Sequence, residues 1–146
     1  MLPGTIQLEV VTLERSVVRE RVTEIQLPGR DGFLGILPGH TPLLTELGVG
    51  ALSYKQGSET FFIAVFDGLA EVLPDRVIVL ADAAERAEEI DVAHAQADAD
   101  SARKLLASHA DANADWDEIL HNLAIAEARL AAAARVRAAA PAGVEA

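Results

Sequence analysis

Residues 22–37 read VTEIQLPGRDGFLGIL. Val22, Glu24 and Gln26 alternate with Thr23, Ile25 and Leu27, the period of two that marks a strand with one buried face. Pro28-Gly29-Arg30-Asp31-Gly32 follows as turn chemistry, and Asp-Gly supplies the positive φ that a tight hairpin requires. Residues 33–37 then read as the returning strand. Upstream, Ile6, Leu8 and Val10 alternate with Gln7 and Glu9 in the same way. Downstream, strands are predicted over residues 51–55, 60–66, 70–73 and 76–81, separated by Gly48-Val49-Gly50, Gln56-Gly57-Ser58, Asp67-Gly68 and Pro74-Asp75. Many short strands at this spacing predict a sandwich or a barrel. Residues 61–66 and 77–80 are apolar on both faces, which places those strands between two sheets or beneath another layer.

Composition changes near Ala84. Six alanines precede Glu85 and 22 follow it, while nine of the ten glycines and five of the six prolines lie in the first part. The boundary divides an all-β unit, residues 1–84, from an α-helical unit, residues 85–146, and the fold class is α+β. In the second unit Asp91 is a helix N-cap, and Ala95, Ala99, Ala102 and Leu106 share one helical face. Residues 108–115, SHADANAD, form a polar break. Asp115 caps a second helix whose stripe is Trp116, Leu120, Leu123, Leu130 and Ala134, with Ile119 and Ala126 beside it. A short link between two helices makes an antiparallel hairpin, and residues 140–146 read as a frayed tail. One buried methyl contributes only about 0.8 kcal/mol, against about 1–2 kcal/mol to order each backbone residue. A face of alanines therefore holds its neighbour weakly, although alanine keeps the segment helical when undocked. A helical arm that releases from the β unit is expected.

The chain has 146 residues, the length of one domain or of a small domain with an appendage. Its hydrophobic fraction of 51% and mean hydropathy of +0.22 exclude intrinsic disorder. A formal charge of −11, divided as −5 and −6 between the two units, opposes nucleic acid and anionic membrane surfaces as partners. The absence of cysteine removes disulfides, thiol nucleophiles and zinc-thiolate sites. No apolar run approaches the ~20 residues that span a bilayer, and no secretory signal is read at the amino terminus. A cytosolic protein without direct membrane insertion is expected.

Catalytic signatures are missing. There is no Gly-x-Ser-x-Gly elbow, no phosphate-binding Gly-x-x-x-x-Gly-Lys loop, no Gly-x-Gly-x-x-Gly and no His-Glu-x-x-His. His40, His94, His109 and His121 have no paired helical spacing, so no metal site is assigned. Glu88, Glu89 and Asp91, like Asp111, Asp115, Asp117 and Glu118, read as acidic helix starts that complement the helix dipole. His40, between Pro38-Gly39 and Thr41-Pro42, either caps a turn or makes an exposed contact.

Residues 31–44, DGFLGILPGHTPLL, closely resemble the signature of the epsilon subunit of bacterial F-type ATP synthase. Gly68-Leu69-Ala70-Glu71-Val72, Val77-Ile78-Val79-Leu80-Ala81-Asp82 and Ala84-Glu85-Arg86-Ala87-Glu88-Glu89-Ile90-Asp91 resemble the family's next block. Asp67 departs from it, standing where the family usually has the first glycine of a pair. The resemblance implies a sandwich of about ten strands followed by a helical hairpin. It also implies a non-catalytic subunit of the rotating central stalk, bound to the gamma subunit and the c ring and coupling proton flow to ATP synthesis. Such a subunit lies peripherally at the cytoplasmic face of the bacterial inner membrane. By position, Arg30, Asp31, Gly32, Phe33 and His40 would face the c ring, with Phe33 where other members carry an acidic or polar group.

The resemblance further implies inhibition of ATP hydrolysis, with the helices extending along gamma to the alpha/beta catalytic head. Arg129, Arg135 and Arg137 are the basic residues that would meet acidic surfaces there. Some members bind ATP at Ile/Leu-Asp-x-x-Arg-Ala. Here the corresponding residues are Ile90, Asp91, Val92, Ala93, His94 and Ala95. An imidazole lacks the bidentate fork of a guanidinium, and Glu118 and Ile125 stand where later arginines are expected. No cofactor is therefore expected, with ATP retained only as a regulatory ligand. The competing reading is a free-standing ligand-binding β-sandwich whose helical hairpin dimerises.

Overall fold

The computed structural model describes residues 3–108 and 114–139. The chain forms β1 (Ile6–Val11), β2 (Ser16–Val22), β3 (Glu24–Gly29), β4 (Gly32–Ile36), β5 (Leu43–Gln56), β6 (Glu59–Val72) and β7 (Arg76–Arg86). A 3-10 turn at Ala87–Glu89 leads to α1 (Val92–Ser108) and α2 (Trp116–Ala139). The strands are hydrogen-bonded in the order β2-β1-β7-β6-β5-β3-β4. Every pairing is antiparallel except β1 with β7.

This one ladder makes a two-layered sandwich because its three long strands bend. Pairing between β5 and β6 skips Gly48 and Asp67, and pairing between β6 and β7 skips Asp67 and Asp82. The core-facing phase changes across that line. Leu47 is buried before the break in β5 and Leu52 and Tyr54 after it; Ala81 is buried before the break in β7 and Ala84 after it. Because side chains alternate with a period of two, a change from odd to even positions means that each strand reverses the face it turns to the core at the bend, and the pairing register is the same on both sides of it. Counted on either side of the bend, seven continuous strands supply ten segments. Asp67 at φ 60° and Gly68 at φ 145° therefore form a kink inside β6, and residues 60–66 and 70–72 belong to one strand, with Leu73 just beyond its end. Only glycine fits at position 68, where a Cβ would stand 2.2 Å from the Leu80 carbonyl oxygen. Likewise Gly48-Val49-Gly50 lies within β5 rather than before it.

A second correction concerns residues 22–27. Val22 is buried, yet so are Ile25 and Leu27, and exposed Thr23 turns the chain from β2 into β3 while its N–H donates to the Lys55 carbonyl at 2.9 Å. The apparent single alternation joins two strands around a corner. The core between the layers is aliphatic, built from residues such as Ile6, Leu8, Ile25, Leu52 and Val79. Tyr54 and Phe61 stack at 5.2 Å against it.

A smaller core lies on the outer face of β5 and β6. Ala64 and Phe66 meet Ala128, Ala132 and Ala133 of α2, with Ile90 of the connection. The two-faced apolar run of residues 61–66 thus lies beneath the helical layer, as its pattern predicts. α1 packs chiefly on α2, burying Ala95, Ala99 and Ala102. The caps are as expected: Asp91 Oδ1 accepts from His94 N–H at 3.0 Å, and Asp115 Oδ1 accepts from Glu118 N–H at 3.1 Å. The stripe assigned to α2 is displaced. Leu120 is 51% exposed, and Trp116 and Ala134 are exposed, whereas Ala126, Ala128, Ala132 and Ala133 are buried. Two partners, the sheet and α1, divide the surface of α2, and small residues let both backbones come close.

Candidate functional site

The β3–β4 hairpin closes with Gly29 opposite Gly32, leaving Arg30 and Asp31 at the tip. Gly32 adopts φ 137°, the positive value that the turn demands. The tip is tied to β5: Arg30 N–H donates to the Glu46 carbonyl at 3.1 Å, and the Arg30 guanidinium pairs with the Glu46 carboxylate. Arg30, Asp31 and Gly32 are exposed, and Phe33 presents 66% of its surface to solvent beside a shallow depression of about 390 Å³.

His40 lies beyond the other end of β4, which rises about 13 Å between Gly32 and Ile36. Its N–H donates to the Leu37 carbonyl at 3.1 Å, and Nδ1–H is placed to donate to the Thr41 carbonyl at 2.7 Å. Neighbouring Gly39 has φ 84° and donates to the Pro74 carbonyl at 2.7 Å. The imidazole is therefore half-buried and bonded within its own turn, the capping alternative. The five residues grouped by resemblance occupy two separate sites, the hairpin tip and the turn at His40.

Between these sites lies a surface that the sequence reading missed. On the outer face of β5, β6 and β7, Leu44 is 69%, Leu69 44% and Leu80 54% exposed. Leu69 is directly opposite Leu80, and Val11 of β1 pairs with Leu80 on its other side. Their neighbours in sequence, Ala70 and Ala81, face the core. The available signal was leucine on the phase that a half-exposed sheet normally gives to polar residues, a pattern associated with an interaction surface.

On the helical side, Arg129 is the centre of a cluster. Its side chain is 13% exposed, with Nε 3.0 Å from Glu85 Oε1. That approach is an ion pair rather than an aligned hydrogen bond, since Nε has no bonding partner. Nη2 donates to Glu85 Oε2 at 3.3 Å, and Nη1 lies 3.3 Å from His94 Nδ1. Ile90 and Ala95 are buried packing residues, while Asp91 is occupied as the α1 cap. Arg135 lies over the Phe62 ring, 5.8 Å from its centroid, at the rim of a groove of about 650 Å³ between α2 and the sheet. The Arg137 side chain and His109 lie outside the described residues. Nearer the start of α2, His121 Nε2 is 3.4 Å from Asp67 Oδ2 at the bend.

Elsewhere, Arg15 on the β1–β2 hairpin meets Glu89 of the 3-10 turn at 2.7 Å. Its hydrogen bonds hold the Glu89 carboxyl below the ordinary carboxylate range and raise the Arg15 guanidinium. Burial pushes the Tyr54 phenol upward. Among the described residues no cluster of three metal-ligating side chains occurs, and no helix is long and apolar enough to cross a membrane.

Known proteins resemble both the sequence and this geometry. A sequence model of the ATP synthase Delta/Epsilon chain beta-sandwich domain matches residues 5–87. An ATP synthase epsilon chain of Solibacter usitatus is 49% identical over 132 residues, covering 90% of this chain and 98% of that one. An ATP synthase epsilon chain of Koribacter versatilis is 53% identical over 95 residues, 65% of this chain and 67% of that one. A chain in the cryo-EM structure of the Euglena gracilis mitochondrial ATP synthase, OSCP/F1/c-ring in rotational state 1, superposes with a TM-score of 0.78 at 24% identity, covering 90% of this chain and 83% of that one. That last likeness concerns the fold. With the sandwich domain matched from end to end and an epsilon chain aligned through the helical part, this chain belongs to the ATP synthase delta/epsilon family.

Proposed function

We propose that this chain is a non-catalytic rotor subunit of an F-type ATP synthase, coupling proton flow through the c ring to ATP synthesis and restraining ATP hydrolysis through its C-terminal helices. The observation that carries the reading is the alignment with an epsilon chain over 98% of that relative's length, sandwich and helices together. Residues 1–84 bind the rotor in this reading, and residues 85–146 form the regulatory arm. The protein acts peripherally, at the cytoplasmic face of the bacterial inner membrane.

The leucine face at Leu44, Leu69 and Leu80 is assigned to the gamma subunit, because a stalk must transmit torque through a permanent contact and permanent contacts are apolar. The tip at Arg30, Asp31, Gly32 and Phe33 is assigned to the polar loops of the c ring, with His40 shaping the adjoining turn. Arg129, Arg135 and Arg137 are assigned to acidic surfaces of the alpha/beta head in the extended arm. In the folded arm Arg129 is engaged by Glu85. A nucleotide at Ile90, Asp91, His94 and Ala95 would therefore have to displace a carboxylate without the guanidinium that His94 replaces. No cofactor enters this reading. The dimerising alternative is disfavoured, since α2 spends its buried face on the chain's own sheet.

Co-expression with the gamma subunit tests the reading. A stoichiometric complex is expected, and Leu69→Asp with Leu80→Asp should abolish it without unfolding the sandwich. Failure of the unsubstituted chain to bind gamma would refute it.

A further inference from the structure

The joints between the sandwich and α2 differ in how far they are withdrawn from water. On the helix side the apolar contact is made largely by Ala128, Ala132 and Ala133, and alanine methyls hold weakly. His121 meets Asp67 at 3.4 Å with both side chains well exposed, and Arg135 is exposed over Phe62. Arg103 and Glu127 join α1 to α2 and do not touch the sheet. Among the described ionic contacts of α2 with the sandwich, only that of Arg129 is enclosed. Its side chain is 13% exposed, with Nε 3.0 Å from Glu85 Oε1 and Nη2 3.3 Å from Oε2. Glu85 belongs to β7 and is paired opposite Ala64, which lies in the core beneath α2, so its carboxylate rises from a fixed point of the ladder. Of the other cations at that end of the sheet, Arg15 is bound to Glu89, and Arg86 donates Nε–H to the Val17 carbonyl at 2.9 Å.

Enclosure makes the pair asymmetric. Without the carboxylate, the guanidinium is held out of water with no counter-charge, which strongly disfavours the docked helix. Without the guanidinium, Glu85 is 30% exposed and keeps its access to water. Once α2 has left the sheet both groups are solvated, and neither loss matters. The Glu85 charge therefore acts on the docking equilibrium, and removing both charges should restore docking that is lost when the carboxylate alone is removed.

We propose that Glu85 is the lock of the arm. It holds α2 on the sheet by capturing Arg129, the same cation that the extended arm would present to the catalytic head. One guanidinium cannot serve both places, so the sandwich and the head compete for it, and Glu85 sets the share of arms that stay folded. This inference rests on the proposed regulatory arm and names the residue that restrains it.

Amide hydrogen exchange on the full, unassembled chain reads docking without any partner. In Glu85→Gln, protection across α2 should fall about tenfold or more, the effect of removing one partner of a charged hydrogen bond, while β1, β6 and β7 keep theirs. Arg129→Met should lower it less, and adding Arg129→Met to Glu85→Gln should bring protection back to the level of Arg129→Met alone. In the assembled synthase the single substitutions should act in opposite directions. Glu85→Gln should lower ATP hydrolysis below the parent level, because a released arm still carries Arg129, and Arg129→Met should raise it. A contact that merely holds the structure together would move both the same way. Full α2 protection in Glu85→Gln, additive losses in the double variant, or a shift of the same sign in hydrolysis would overturn the lock. The regulatory arm itself fails by a different result, hydrolysis that does not change when the helices are deleted, and that result leaves the exchange pattern of the lock intact.

Discussion

Replacing Ala132 by leucine should detach the helical layer and leave the sandwich intact. Ala132 is fully buried between α2 and the sheet, in one cluster with Ala64, Phe66, Ala128 and Ala133. A leucine adds three carbon atoms to a space closed on all sides. Such overpacking costs about 1–3 kcal/mol when surroundings cannot move. In the proposed regulatory arm α2 leaves the sheet as a unit, and in that reading the strain is relieved by undocking. At 1.4 kcal/mol per decade, the docked-to-undocked ratio should fall by about 5- to 150-fold. Amide hydrogen exchange reads the two layers separately. Protection across α2 should fall by that factor while β1, β6 and β7 keep theirs, and the sandwich should melt at an unchanged temperature. A parallel loss of protection in both layers would refute the reasoning, because sandwich and hairpin would then be one cooperative unit.

Gly68→Ala should be among the most damaging single substitutions, losing at least ~3 kcal/mol of unfolding free energy in denaturant titration, because its Cβ meets backbone at 2.2 Å; a loss near zero would show that the bend tolerates a side chain. Leu80→Asp should leave the melting temperature within a few degrees of the parent yet abolish co-purification with gamma, and retained binding would move that interface elsewhere. The Arg15–Glu89 link should show itself in acid. The Glu89 carboxyl is lowered in the folded chain, so its stabilising effect is complete above the ordinary carboxylate range and is lost as pH falls through the depressed value. Glu89→Gln should therefore flatten the acid limb of the stability profile by lowering stability at neutral pH, where the carboxylate's contribution is complete, while changing little below the depressed value, and an unaltered limb would dismiss the link. ATP titrated by calorimetry should give no tight site; submicromolar binding abolished by Asp91→Ala would reverse that expectation.

How much of this was legible in the sequence depended on whether the signal was local. Turn chemistry at residues 28–32 and the caps Asp91 and Asp115 are satisfied by neighbours a few residues away, and the structure forms all three. The alanine face of α1 was readable because α1 has one main partner, so a single helical period suffices. α2 has two partners, and its most apolar stripe, including Leu120, is not the one that the sheet selects. Around Thr23, Gly48 and Asp67 the chain changes which side faces the core, and a period-two pattern gives no notice of a switch in phase. At Asp67 in particular, a turn signal and a kink within a strand use the same residues.

The interaction surface was hidden for a related reason. Leu44, Leu69 and Leu80 look like core residues until their neighbours Ala70 and Ala81 are seen to occupy the core instead. The cluster of Glu85, His94 and Arg129 joins three elements whose spacing along the chain carries no common period. Arg129 was singled out for a role in the extended arm, and its partnership with Glu85 in the folded arm emerges only in three dimensions.

The central claim, a rotor-binding sandwich with a separable regulatory arm, is tested most directly by assembling the ATP synthase with this chain truncated before Asp91 and measuring its ATP hydrolysis and proton-driven synthesis against the complex with the full chain. Retention in the complex, intact synthesis and a severalfold rise in hydrolysis are predicted. Unchanged hydrolysis, or loss of the truncated chain from the complex, would contradict the account.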